Sequence, residues 1–362
     1  YGETNGTVVA VNGRLYFNSG GSLLCVGDPK AKPSEVKYTP LPEEAKFEEG
    51  KVAGVRIAPA DVVAKPGETV KFAVVTVDAN GRTVKSNLPD PPTEWLLPLP
   101  PKTPAGAQPP ALAGKLDNGT LTVGPNPAQQ GIVELKFGTM TARARVRVAP
   151  QLPFSQDFEK SPAGSSPSGW VNTNGKFLVK QAGNGNLALS KVNTDSRPPI
   201  ARANGYITLP DASNYTIQAD LMATEVRGKL PDFGVVNSRY TLILDGKIDT
   251  DNKQRNVRLV SWENRPRINL SVDFDWKAGT WYTTKLVVEQ KEKTALIRGK
   301  VWPKGEKEPE KWTVEFEDTL PNRNGAGGVY GYVSNIGTAD DGGVAPGSDI
   351  FYDNITITPA KK

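Results

Sequence analysis

The sequence contains no histidine. That removes the usual general base at neutral pH, the Ser-His-Asp and Cys-His arrangements, and most zinc and copper sites. Its one cysteine, Cys25, has no partner for an internal disulfide or a thiolate-bound metal, and it is expected to be a buried structural thiol. No apolar run approaches the about 18 residues of a spanning helix, and the N-terminus has no signal-peptide pattern. Basic and acidic residues number 44 and 39 and are interspersed, so no polybasic arm exists for nucleic acid or a membrane surface. There is no Gly-Lys-Ser/Thr phosphate loop, and the glycines around Gly325–Gly328 are not followed by a helix pattern. The run Asp249-Thr-Asp251-Asn252 lacks the glycine and terminal glutamate of a calcium-binding helix–loop–helix. Tyr1-Gly-Glu-Thr starts abruptly, without Met, in a strand-like pattern, and is read as entering from a longer precursor.

What is present points to strands. The chain has 362 residues, room for two or three cores, and its 36 glycines and 31 prolines suit many short strands joined by turns. Residues 1–27 pattern as a hairpin around Asn12-Gly13, too small to bury a core alone. Residues 28–50, rich in Pro, Lys and Glu, read as a linker. From 51 to 150 the alternation of Val70, Phe72 and Val74, then of Val133, Leu135 and Phe137, predicts about seven short strands in a small sandwich. Its last strand, Ala142 to Val148, alternates with Arg143, Arg145 and Arg147, which predicts one apolar and one basic face. Residues 151–362 carry six of the seven tryptophans and about a dozen strand patterns with no blade-length repeat, which predicts a larger jelly-roll-type sandwich. The fold class expected is therefore all-β.

Two groups of residues invite a functional reading. Asp157 and Glu159 flank Phe158 near the start of the large sandwich, and Asp353-Asn354 lies near its end. If the first and last strands pair, these oxygens converge as a hard-ligand set suited to a structural Ca²⁺. The alternative is that they are solvated strand-end residues, with Asn354 at a turn. For ligand binding, sugars need an exposed aromatic face with polar neighbours. Trp262 with Arg265 and Arg267, and Arg239-Tyr240 with Asp232, are the candidates, and Trp276 and Trp302 stand beside turns where rim residues belong. Trp170 and Trp281 are expected in the core.

Three resemblances accompany these readings. The run Val11-Asn-Gly-Arg-Leu-Tyr-Phe17 with Leu23-Leu-Cys-Val-Gly27 resembles the last blade of a pyrroloquinoline-quinone (PQQ)-like β-propeller. The order Ile57-Ala-Pro59, Gly67-Glu-Thr-Val70, Asp78-Ala-Asn-Gly81, Trp95 and Leu121-Thr-Val123 resembles the bacterial Ig-like (Big) family, whose members imply a spacer or adhesion module. Asp157-Phe-Glu159, Pro167-Ser-Gly-Trp170, Trp281-Tyr282 and Phe351-Tyr-Asp-Asn354 resemble the concanavalin A-like, laminin-G-like superfamily. Together they are similar to the C-terminal region of planctomycete-type secreted PQQ-like propeller repeat proteins. That likeness implies a secreted, periplasmic or cell-surface setting, a propeller preceding this chain, a glycan or surface polymer as partner, a structural Ca²⁺ at the strand-end corner, and no PQQ in this part. Retaining glycosidases of this fold carry Glu-x-Asp-x-x-Glu on one strand, and Glu315-Phe-Glu317-Asp318 does not match. The expectation is a non-catalytic carbohydrate-binding module. A glycoside-active enzyme related to 3-ketoglycoside hydrolases and a purely structural or protein-interaction domain are the alternatives. An acidic pair facing itself across the sheet would favour the enzyme, and a filled sheet face the structural domain.

Overall fold

In a computed structural model the protein is all-β, with one four-residue helix among the described residues. The structure describes residues 6–19, 22–30, 39–43, 48–102, 106, 108, 111–126, 128–183, 185–246, 255–261, 268–340 and 342–360. The chain divides into two compact units, residues 1–48 with 260–269, and residues 49–259 with 270–362.

In the first unit β1 (Val9–Val11), β2 (Arg14–Ser19) and β3 (Ser22–Val26) form an antiparallel meander turned at Asn12-Gly13, both at positive φ. Val9, Leu15, Leu23, Leu24 and Val26 are exposed. Cys25 is exposed with them, which corrects the expectation of a buried thiol: a three-stranded sheet this small buries little of either face.

The second unit starts with the small sandwich. Its strands are β4 (Gly54–Ala58), β5 (Asp61–Ala64), β6 (Thr69–Lys71), β7 (Ala73–Val77), β8 (Thr93–Leu96), β9 (Gly114–Asp117), β10 (Thr120–Val123), β11 (Gln129–Phe137) and β12 (Met140–Val148). They form sheets ordered β5-β12-β11-β8, β6-β10-β9 and β4-β7. Val70, Leu121, Val133, Leu135, Ala144, Val146 and Val148 belong to one buried cluster, as period-two alternation requires. The arginines of β12 do point outward, but the face is not a basic one. Arg143 pairs with Glu134 at 2.7 Å, and Arg145 and Arg147 both pair with Asp61 on neighbouring β5.

The large sandwich is built from β13 (Phe154–Gln156), β14 (Phe177–Gln181), β15 (Leu187–Lys191), α1 (Pro198–Ala201), β16 (Arg202–Tyr206), β17 (Tyr215–Ala223), β18 (Asp232–Asn237), β19 (Tyr240–Asp245), β20 (Asn256–Ser261), β21 (Asn269–Asp273), β22 (Tyr282–Gln290), β23 (Ala295–Pro303), β24 (Val314–Asp318) and β25 (Gly328–Tyr332). A short hairpin, β26 (Gly337–Thr338) and β27 (Val344–Ala345), precedes the last strand, β28 (Ile350–Pro359). One sheet runs β14-β15-β28-β17-β22-β23-β24, with β13 also on β28; the other runs β16-β25-β18-β19-β20-β21. The first and last strands therefore pair, Phe154 opposite Ile357.

The two sheets pack through Phe177, Ile217, Leu221, Leu286 and Tyr352 from one side and Phe233, Val235, Leu242 and Val329 from the other, all buried. Close approach is visible at Gly299 of β23, where a Cβ would lie 2.7 Å from the Leu242 side chain of β19. Several polar groups between the sheets are partnered, though Thr284 Oγ1 of β22 has no hydrogen-bond partner. Asn237 Nδ2 donates to the carbonyls of Tyr215 at 2.8 Å and Leu286 at 3.2 Å, and the Tyr352 hydroxyl donates to the Tyr330 carbonyl at 2.6 Å. Lys191 is fully buried, its ammonium donating to the carbonyls of Ile200 at the end of α1 and of Val192. Burial pushes that ammonium's pKa down to about 8, with the Lys176 charge adding to the shift.

Candidate functional site: the outer face of the six-stranded sheet

Strand alternation decides which residues leave the core. On β25, Gly331 turns inward: a Cβ there would lie 2.6 Å from the Tyr352 hydroxyl, so Tyr330 and Tyr332 point outward. Cross-strand register then sets three outward rows. The first is Arg202, Tyr332 and Asp232; the second Asn204, Tyr330, Gly234 and Ile243; the third Tyr206, Gly328, Val236 and Thr241. Phe233 pairs with Leu244, so one step further Asp232 stands opposite Asp245, two carboxyls on directly facing positions.

Arg258 of β20 reaches the same place. Its Nε lies 3.4 Å from Asp245 Oδ2 and its Nη2 4.0 Å from Asp232 Oδ2. Asp232 Oδ1 also accepts the Gly246 N–H at 2.9 Å. Asp232 and Asp245 are only 4 % and 3 % exposed. Burial pushes the Asp232 carboxyl well above the usual carboxylate range, and the Asp245 charge adds to this; the Gly246 N–H and the Arg258 charge offset only part. Burial, then the Asp232 charge, likewise push the Tyr330 phenol up.

The face has a closed half and an open half. Val236, Thr241, Ile243 and Tyr330 are buried, while Arg202 is exposed and Asn204, Tyr206 and Tyr332 are half-buried. In the open half the Arg202 guanidinium lies 4.1 Å over the Tyr332 ring centroid, and Asn204 Nδ2 donates to the Tyr206 hydroxyl at 3.1 Å. Asn204 Oδ1, Thr241 Oγ1 and Arg258 Nε are buried with no hydrogen-bond partner. Three of the six such atoms among the described residues thus fall on one sheet face, where folded proteins ordinarily leave few.

Of the residues singled out from sequence, Asp232 lies at this site. Arg239 does not: it occupies the β18–β19 hairpin with φ 68°, next to Ser238 at φ 50°, and is exposed at the turn. Tyr240, the next residue, points inward and is fully buried; its hydroxyl donates to Asp318 Oδ2 at 2.7 Å and accepts the Asn322 N–H at 2.9 Å. Trp262, Arg265 and Arg267 lie outside the described residues. Trp276 and Trp302 are buried instead of forming a rim. Trp276 packs edge-on against Phe233 at 5.1 Å and donates Nε1 to the Asp245 carbonyl at 3.3 Å. Trp170 is buried against Phe158, as expected, while Trp281 is half-buried beneath the Lys304 ammonium at 5.3 Å.

The strand-end carboxylates do not fit a calcium site. β13 stops at Gln156 and Phe158 has φ 61°, so Asp157 and Glu159 are not neighbours on one strand face. Asp157 Oδ1 accepts the Glu159 N–H at 3.3 Å, and Glu159 Oε1 accepts the Leu187 N–H at 3.2 Å; both residues are exposed. Asp353 faces Asp220 across β28 and β17, and the partner of that pair is an ammonium, Lys304 Nζ, 2.9 Å from Asp220 Oδ2. Asn354 sits at φ 48° where the β17–β28 register slips, and its Nδ2 donates to Asp220 at 2.8 Å and to Asp353 at 3.3 Å. Among the described residues no group of three or more His, Cys, Asp or Glu is arranged to hold a metal. Adding EDTA or excess CaCl₂ is expected to move the melting temperature by less than about 1 °C, since a site-bound ion would stabilise by mass action. Differential scanning calorimetry checks this, and a shift of several degrees would restore the calcium corner.

No family model and no curated sequence matches the chain. Solved structures show partial likeness. The alginate lyase Aly36B is 11 % identical, with 59 % of this chain and 100 % of that chain covered and a TM-score of 0.37. The PL-14 alginate lyase from Aplysia kurodai is 12 % identical over 58 % of this chain and 100 % of that one, at 0.36. A glycoside hydrolase family protein from Mycobacterium thermorestibile is 15 % identical over 57 % and 100 %, at 0.38. At such values the reading of the face rests on its own side chains.

Proposed function

We propose that the open half of the six-stranded sheet's outer face binds carbohydrate without cleaving it, in a secreted or cell-surface setting. The small sandwich then acts as an Ig-like spacer, and the exposed β1–β3 meander as the remnant of a propeller blade. The observation that carries the binding reading is the combination at the open half: two half-exposed tyrosine rings, Tyr206 and Tyr332, beside a buried amide oxygen of Asn204 that has no partner. A pyranose offers an apolar C–H face to an aromatic ring and hydroxyls that donate to such an oxygen. Tyr332→Ala and Asn204→Ala are each expected to weaken binding of the tightest array oligosaccharide by about tenfold, the value of one lost contact near 1.4 kcal/mol. A glycan array followed by titration calorimetry tests this; an array without signal, or variants that bind as wild type does, would overturn it.

A glycoside-active enzyme is the second reading, and the facing pair Asp232–Asp245 favours it. Against it, both carboxyls are buried beneath Arg258 on directly opposed positions, whereas cleavage by two carboxyls needs them flanking the bond at about 5 Å or more. Release of reducing sugar from an array-positive oligosaccharide, lost in Asp232→Asn, would establish the enzymatic reading instead.

A further inference from the structure

The three outward rows of the open half follow one another along β16 and β25 at the two-residue repeat of a strand, about 6.7 Å per row. Arg202 and Tyr332 stand opposite each other in the first row, Asn204 belongs to the second, and Tyr206 stands opposite Gly328 in the third. The two tyrosines are therefore about 13 Å apart along the strands and one strand spacing, about 4.8 Å, apart across them. No single sugar ring reaches both. At one end the Arg202 guanidinium extends the Tyr332 ring by stacking on it, and at the other the Tyr206 hydroxyl accepts the Asn204 Nδ2–H. Between them lies Asn204 Oδ1, buried and without a hydrogen-bond partner.

The open half is also narrow. Toward β18 and β19 it is bounded by Tyr330, Val236, Thr241 and Ile243, all buried. On the other side β16 ends the sheet, and its edge is met by Val171, which bridges to Tyr206, and by Asn172, whose Nδ2 donates to the Asn204 carbonyl at 2.8 Å. What remains is a strip two strands wide and five residues long, about 10 Å by about 17 Å. Its side chains are exposed or half-buried at the surface, whereas a site for a chain end has to enclose the terminal sugar as a pocket does.

Resting on the carbohydrate reading, we propose that the strip takes an internal stretch of a linear polysaccharide, laid along β16 and β25 and spanning about three sugars or more, and does not recognise a chain end. One ring lies against Tyr332, one against Tyr206, and a sugar between them donates a hydroxyl to Asn204 Oδ1. Once a chain is held at one tyrosine, the second contact is intramolecular and adds affinity without a second loss of translational freedom, but only if the chain is long enough to span the gap. Affinity therefore steps up at the length that reaches both rings and is level beyond it. Branches on the spanning stretch meet the bounded sides of the strip and weaken binding.

The test is titration calorimetry of the full chain with ladders of linear glucan, xylan, mannan and uronate oligosaccharides, from disaccharide to hexasaccharide. In the ladder that binds, affinity should rise about tenfold or more from disaccharide to tetrasaccharide and stay within about twofold beyond the pentasaccharide. Reducing the end sugar of the hexasaccharide to its alditol should change affinity by less than about twofold. Tyr206→Ala and Tyr332→Ala should each weaken the hexasaccharide about tenfold, while no more than one of them does so for the disaccharide, which cannot touch both rings. If a tyrosine variant does not fold, the wild-type ladder and the alditol decide by themselves. A ladder that binds equally at every length, or an alditol end that abolishes binding, overturns the proposal and leaves the carbohydrate reading standing. No binding in any ladder overturns both.

Discussion

Replacing Asp232 with Asn stabilises the protein by about 2 kcal/mol at about pH 8 and leaves its stability unchanged at about pH 4. The Asp232 carboxyl is raised above its unfolded value by burial and by the facing Asp245. A raised acid binds more protons in the folded state, so its contribution is fully present below the unfolded value and is lost as the pH climbs through the folded one. Asn keeps the acceptor for the Gly246 N–H but never ionises, so it escapes that loss. Urea unfolding at the two pH values measures the difference. A variant less stable than wild type at about pH 8 would mean that Asp232 is held ionised by Arg258, as an ordinary buried ion pair. A buried acid kept at a cost in stability is a common mark of a functional site.

The second large effect is on the opposite sheet. Lys304→Met is expected to destabilise by about 2–3 kcal/mol at about pH 8, below the 3–5 typical of a broken buried pair because the ammonium is 40 % exposed. It leaves Asp220 and Asp353 facing each other across β17 and β28 with, among the described residues, Asn354, Thr283 and Asn186 as donors. Asp353 is already raised, first by burial and also by the Asp220 charge, so the variant should recover stability as the medium is acidified and Asp353 takes up a proton. Adding Asp353→Asn to Lys304→Met should restore most of the loss, which a double-mutant cycle in urea would show. If Lys304→Met costs nothing, or if Ca²⁺ restores it, the ammonium is not what balances this corner.

The strands were legible because alternation is local. Val133-Glu-Leu135-Lys-Phe137 and Ala142-Arg-Ala144-Arg-Val146 each show which side is buried, and the sheets obey them. The bracket Asp157-Phe-Glu159 misled because alternation assumes extended backbone, and Phe158 at φ 61° breaks it. The hairpin at Ser238-Arg239 has the same consequence. Two residues at positive φ reset the phase, so Tyr240 turns inward and cannot share a face with Arg239. The unit of Asp232, Asp245 and Arg258 is assembled from three strands, and no local spacing announces it. A signal did exist. Each is a lone charge at or inside an apolar strand, in Asp232-Phe-Gly-Val, Leu-Ile-Leu-Asp245 and Val-Arg258-Leu-Val, and a buried charge needs a partner from elsewhere in the fold. Arg202, Asn204, Tyr206 and Tyr332 carried no such mark, because alternating polar and aromatic residues are what any half-solvated strand shows.

The most direct measurement of the central claim is hydrogen–deuterium exchange of the full chain with and without the oligosaccharide that gives the strongest array signal. Binding at the outer face of the six-stranded sheet should slow exchange across residues 202–206 and 328–332, and Tyr332→Ala should abolish that protection at the same ligand concentration. Protection confined to the other sheet or to the small sandwich, or none anywhere at saturating ligand, would contradict the account.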